Sequence, residues 1–221
     1  MSLDQEIIYP EDMQESVFDY MNRLFVRESE GQRNVRANTI DAGLPQIELR
    51  PHEGYMMMWM ARAIGAKRIV EIGTLAGYSG IWFARALPPD GKLITLDVSE
   101  KHAAVARKNF AEAGVDHLVE IVIGDAHQNL RTLNGPFDMV FIDADKPGYM
   151  DYLEWALDNV RVGGIIAGHN ALQRGNVTEE TPPDGNSGYM QAFNRRMAEE
   201  PRLLTTIFPQ GDGTIMGIVL G

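Results

Sequence analysis

The chain has 221 residues, 44% hydrophobic and 23% charged, with 20 basic against 31 acidic side chains and a net charge of −11. This length and balance fit one globular domain with a sizeable core, and the acidic excess disfavours a nucleic-acid partner, whose affinity rests on phosphate neutralisation. The lack of cysteine excludes disulfides, thiolate metal sites and cysteine nucleophiles; no apolar run reaches the ~18 residues of a membrane span, and without a basic-then-apolar leader the expected location is cytoplasmic.

Pro10 to about Glu30 predicts an amphipathic helix, with Met13, Val17, Tyr20, Met21 and Leu24 at helical spacing. Gly31 to Pro45 is polar and interrupted by glycine and proline, which predicts a loop. Pro51 opens a second helix where its missing N–H costs nothing. Met56, Met57, Met58, Trp59 and Met60 on that helix suit adaptable core or a subunit contact. From Lys67 onward the period changes. Arg68–Ile72, Lys92–Val98, Leu118–Ile123, Phe137–Ile142 and Gly163–Ala167 predict strands. Gly77–Leu87, a stretch from Ser99 to Ala113, and Tyr149–Val160 predict helices between them. Residues 169–188 read as a long loop, followed by a helix to about Glu200. Leu203–Phe208 and Ile215–Leu220 around Gly211-Asp212-Gly213 predict a closing hairpin. Strands alternating with helices argue for an α/β fold with a parallel sheet covered on both faces. With no repeat or linker, residues 1–221 form one domain: a helical extension over 1–66 and an α/β core over 67–221.

The segment from Arg68 to Ser79 carries the first chemical signal. A β-branched run ends at Glu71 and Gly73, Gly77 follows, and a helix begins. The glycines allow close backbone approach to a ligand and positive φ, and the helix start offers free N–H groups. The spacing is not the G-x-G-x-x-G of dinucleotide sites. The acid at its front disfavours a pyrophosphate and suits a cationic or hydroxyl-rich ligand. The other strand ends are also polar: Asp97, able to accept from ribose hydroxyls; Gly124-Asp125-Ala126; Asp143-Ala144-Asp145-Lys146; and His169-Asn170. Asp125 has helix capping as an alternative role.

Asp143, His169 and Asn170 supply one charged and two neutral donors from adjacent strand ends, a set that could hold a divalent cation. Lys146 beside such a cation would have its ammonium form disfavoured and serve as a base. The alternative is a local Asp–Lys ion pair at a helix start.

Taken together, the chain resembles the cation-dependent O-methyltransferases, the group of catechol and caffeoyl-CoA O-methyltransferases and their bacterial relatives. The matching segments are Val70-Glu71-Ile72-Gly73 with Gly77-Tyr78-Ser79, Leu87-Pro88-Pro89-Asp90-Gly91, Asp97-Val98-Ser99, Phe141-Ile142-Asp143-Ala144-Asp145-Lys146, Val162-Gly163-Gly164 and Pro209-Gln210-Gly211-Asp212-Gly213. They run from about residue 45 to the C-terminus. The resemblance implies a Rossmann-like seven-stranded sheet, mostly parallel with the last strand reversed. It implies S-adenosylmethionine lying against Glu71, Gly73, Thr74, Ser79, Asp97 and Ala126, with Leu49 a further contact position. Gly77, Asp125 and Asp143 complete the expected cofactor rim. It also implies Lys146 as base, Asp143 as catalytic cation ligand, a small catechol-like or other hydroxylated aromatic acceptor, and a homodimer.

One departure stands out. The family's adjacent Asp-Asn pair is His169-Asn170 here. Imidazole removes a negative charge and suits Zn, Fe, Ni or Mn better than Mg. A softer cation, weak Mg binding and loss of the metal are the three outcomes open; the expectation is a retained but altered site on Asp143, His169 and Asn170. His127 lies near the expected adenine side, while His52, His102 and His117 read as helix or loop surface. The rival readings are a tRNA hydroxyuridine methyltransferase and a non-catalytic S-adenosylmethionine-binding protein.

Overall fold

The computed structural model describes residues 11–221, with side chains from Val17 onward. Pro10 and the side chain of Met13 lie outside the described residues. Strands β1 (Arg68–Ile72), β2 (Lys92–Asp97), β3 (Val119–Ile123), β4 (Phe137–Ile142), β5 (Val160–His169), β6 (Leu203–Phe208) and β7 (Thr214–Val219) form one sheet in the order β3-β2-β1-β4-β5-β7-β6. β1 to β5 run parallel, and β7 is antiparallel to both neighbours. This is the expected seven-stranded, mostly parallel sheet with a reversed last strand. The strand order turns back between β1 and β4, the place where open α/β sheets hold ligands.

Strand alternation sorts the core into two halves. Ile69, Leu93, Met139, Phe141 and Ala167 face one layer, where α3 (Pro51–Ala63), α4 (Tyr78–Ala86) and α5 (Glu100–Glu112) supply Met57, Trp82, Phe83 and Phe110. Val70, Ile72, Val140, Ile142 and Ile166 face the other, where α6 (Ala126–Leu130), α7 (Tyr149–Asn159) and α8 (Gly185–Glu199) supply Leu130, Tyr149, Leu153 and Phe193. Burial on both faces explains why Ile69, Val70 and Ile72 of β1 and Met139–Ile142 of β4 are apolar on both sides.

The N-terminal part departs from expectation. The predicted helix to Glu30 stops at Phe25 as α1 (Glu11–Phe25), and the predicted loop contains a helix, α2 (Glu30–Asp41). Ser29 caps α2, and Gln32 returns the bond to its backbone. Gly31 is no breaker: it lets α2 lie against the end of α5, where a Cβ would meet Ala113 backbone atoms at 2.6–2.7 Å. Along α1, Val17, Tyr20 and Leu24 stay exposed rather than facing a core. Of the methionine-rich run, Met57 is buried, Met56, Met58 and Met60 pack partly on the core, and Trp59 is 58% exposed. α8 starts at Gly185, inside the predicted loop, behind the Asp184 cap, and β5 begins at Val160, earlier than expected.

Candidate active site

The register builds the site. Ile72 pairs with Leu96 on β2 and with Ile142 on β4, and Ile142 pairs with Gly168 on β5. One residue further on, Asp97, Gly73, Asp143 and His169 fall in one row across four adjacent strands. Period-two alternation turns all four toward the layer of α3, α4 and α5. Backbone bonds hold the row: Gly73 N–H donates to Leu96 O and Asp143 N–H to Ile72 O, both at 2.9 Å. Gly124, opening the Asp125-Ala126 segment after β3, donates to Asp97 O at 2.9 Å. Gly73 has φ +107°, and a Cβ there would strike the carbonyl oxygen of Asp143. The two flanking carboxylates thus lie two strand spacings apart, roughly 10 Å, with only the Gly73 backbone between them.

Asp97 ties the row to the loop after β1. Its Oδ2 accepts from the N–H groups of Thr74 (3.2 Å) and Leu75 (2.9 Å), and its Oδ1 from Ser99 N–H (2.9 Å). His102, expected on the surface, places Nδ1 3.0 Å from Asp97 Oδ1. The loop turns through Leu75 (φ +46°) and Gly77 (φ +84°); a side chain at Gly77 would meet the Phe110 ring at 2.8 Å.

Glu71 sits one row deeper and is fully buried. Its Oε2 accepts from Thr95 Oγ1 at 2.6 Å and its Oε1 from the Ser79 hydroxyl, while Thr95 and Thr74 hydroxyls lie 2.7 Å apart. Burial pushes the carboxyl up to about 7, against the pull of the Ser79 and Thr95 bonds. Glu71 and Ser79 thus satisfy each other beneath the loop rather than facing open space. Leu49 is buried just ahead of α3. Asp125 does cap α6, its Oδ1 accepting from Gln128 N–H at 3.0 Å.

The other end of the row carries the acid–base groups. Lys146 Nζ donates to Tyr149 Oη at 2.6 Å and to Asn170 Oδ1 at 3.0 Å, and lies 3.6 Å from Asp143 Oδ1. The expected Asp–Lys pair therefore exists, inside a larger network. Burial lowers the pKa of Lys146, opposed by Asp143. The Tyr149 hydroxyl has the carbonyls of Ile142 (3.1 Å) and His169 (3.2 Å) within reach. Asn170 takes the left-handed φ of +58° that asparagine tolerates.

His169 lies between two acids. Nδ1 is 3.2 Å from Asp143 Oδ2 and Nε2 is 3.2 Å from Glu53 Oε1. Burial disfavours its charged form, but Asp143 and Glu53 outweigh that and raise it to about 9. Asp143 in turn stays below the ordinary carboxylate range: burial raises it, and His169 and Lys146 more than compensate. Glu53 was not among the expected site residues. Its local signal is that of a helix start, for its Oε2 accepts from Arg50 N–H at 2.8 Å.

These donors do not fit the implied cation as they stand. Both ring nitrogens of His169 face carboxylates, and Asn170 Oδ1 is taken by Lys146. Among the described residues no group of three or more histidine, aspartate or glutamate side chains is arranged to hold a metal ion. The remaining histidines lie elsewhere. His127 is 3.5 Å from Asp151 and its ring is 4.9 Å from that of Tyr152, toward α7. His52, expected on the surface, is buried and stacked on Phe18 at 4.3 Å. His117 is exposed, as expected.

A sequence model described as "O-methyltransferase" matches residues 23–219. The chain belongs to the O-methyltransferase family. Among its relatives, a catechol O-methyltransferase of Niastella koreensis is 39% identical over 214 residues, covering 93% of this chain and 97% of that one. Among solved structures, the O-methyltransferase TomG of Streptomyces achromogenes, in complex with SAM, superposes with TM-score 0.87 at 36% identity, covering 97% of this chain and all of that one. An O-methyltransferase from Bacillus cereus in complex with SAH gives TM-score 0.84 at 36% identity, covering 92% and 97%. No helix of the described residues is long and apolar enough to cross a membrane.

Proposed function

We propose that this O-methyltransferase moves the methyl group of S-adenosylmethionine to a hydroxyl of a small, catechol-like or otherwise hydroxylated aromatic acceptor. The observation that carries the reading is the row Asp97–Gly73–Asp143, two acids flanking a glycine at the switch point of the sheet, with the Lys146 amine 3.6 Å from Asp143. The donor set fits S-adenosylmethionine: Asp97 suits ribose hydroxyls, the loop of Gly73, Thr74 and Gly77 permits close backbone approach, and Asp143 suits a cationic amino group. When bound, the cofactor supplies an electrophilic methyl on a sulfonium sulfur. The chain's own groups then prepare the acceptor. Lys146 Nζ takes the hydroxyl proton, and its burial favours the neutral amine that this requires. Tyr149 and Asn170 fix the amine in place, so most of the acceleration comes from orientation. Calorimetric titration with S-adenosylmethionine, followed by mass spectrometry of catechol incubated with the protein and cofactor, tests the reading. Absence of cofactor binding would overturn it.

The same reading includes a homodimer. Val17, Tyr20, Leu24, Phe25 and Trp59 leave large apolar side chains in water, a surface that suits a second copy of the chain. Light scattering on the purified protein reads the mass directly, and a monomer at all concentrations would exclude the pairing.

A further inference from the structure

We infer that His169 stands in the place of a divalent cation in this chain, so that the site holds no resident metal and methyl transfer proceeds without one. This rests on the methyltransferase reading only for the part that concerns activity. Asp143, at the end of β4, and Glu53, on α3, flank His169 from opposite sides, and two acids sharing one neighbour favour a positive group between them. A carboxylate at position 169 would add a third acid, to be offset by a bound cation or by a proton. An imidazole ring meets both acids itself, one nitrogen to each, at 3.2 Å on either side. The row places that ring beside Asp143 on the neighbouring strand, with no backbone adjustment needed.

Three further features close the site to an ion. The side chains of His169 and Glu53 are only 8% and 4% exposed, which leaves little room for a hydrated cation. Gly211, in the turn between β6 and β7, seats directly on Glu53, and a side chain there would strike Oε1. Asn170 Oδ1, the remaining neutral donor, already accepts from Lys146 at 3.0 Å. To admit a metal, the ring would have to give up one of its two acids and the amine would have to leave Asn170.

The test uses Mn2+ alone as probe, with the free ion read by electron paramagnetic resonance. The unaltered protein is expected to take up no stoichiometric Mn2+, and His169→Asp is expected to gain one site, bound at least about tenfold more tightly. One Mn2+ bound by the unaltered protein as tightly as by His169→Asp would overturn the inference. Should His169→Asp fail to fold by circular dichroism, the titration of the unaltered protein still decides: uptake of one ion overturns the inference, no uptake supports it. In the activity arm, catechol methylation is expected to be undiminished in EDTA; loss in EDTA that Mg2+ or Mn2+ restores would overturn it. If calorimetry finds no S-adenosylmethionine binding, the methyltransferase reading fails while the Mn2+ titration still judges the metal question.

Discussion

Nε2 of His169 lies 3.2 Å from Oε1 of Glu53, 116 residues earlier in the chain, and both side chains are buried. The pair ties α3 to the end of β5. Glu53→Gln keeps one oxygen, for either the ring or Arg50 N–H, turns an NH2 on the other, and removes the charge. It is expected to lower stability by about 1–3 kcal/mol, read as a shift of the urea midpoint. An unchanged midpoint would mean that the pair contributes as little as a surface ion pair.

Lys146→Ala removes the amine without touching the Asp97 end of the row. Turnover is expected to fall by about 10²–10⁴-fold, while calorimetry should find cofactor affinity nearly unchanged. Similar loss of both would reassign Lys146 to cofactor binding.

Asp97 accepts from the loop after β1 and ends β2 beside Gly73. Asp97→Ala is expected to weaken S-adenosylmethionine binding by roughly 10–100-fold, the worth of one or two hydrogen bonds to a charged group. If affinity holds while thermal stability drops, the acid serves only to fold the loop.

Glu71 links the site to pH. Its ordinary value is 4.5, and burial raises it to about 7 in the folded protein. The fold therefore favours the neutral form. That contribution is complete below 4.5 and is lost as pH rises through about 7, at most about 3 kcal/mol. Glu71→Gln, which can still meet Ser79 and Thr95, should flatten the stability profile across this window. Urea midpoints on both sides of the window measure it, and parallel profiles for the two proteins would contradict the assignment.

Gly31→Ala tests the packing of α2 on α5. The added methyl meets Ala113 backbone atoms rather than a flexible side chain, so a loss of about 1–3 kcal/mol is expected. A neutral result would show that α2 can shift freely.

The rim was legible because each of its acids ends an apolar strand, and strand register then places them together without further information. The glycines after β1 and the Asp143–Lys146 pair were readable for the same reason, whereas the reversed last strand was expected from the family resemblance alone. What stayed hidden depends on contacts between distant segments. Glu53 looks like a helix-start residue until α3 packs over β5. His52 looks like surface until α1 lays Phe18 across it. Asp97 draws in His102 only because α5 starts beside the end of β2. The missed helix α2 did carry a local signal: Ser29 followed three residues later by Gln32 is a capping box, outweighed in the reading by a glycine that serves close packing.

The shared row of Asp97, Gly73, Asp143 and His169 also limits how this scaffold can diversify. A one-residue insertion within β2, β1, β4 or β5 would throw the group at its end onto the opposite side of the sheet, away from its neighbours. New acceptor preferences must therefore come from segments that leave the strands behind, such as the stretch between His169 and α8, while strand lengths stay frozen.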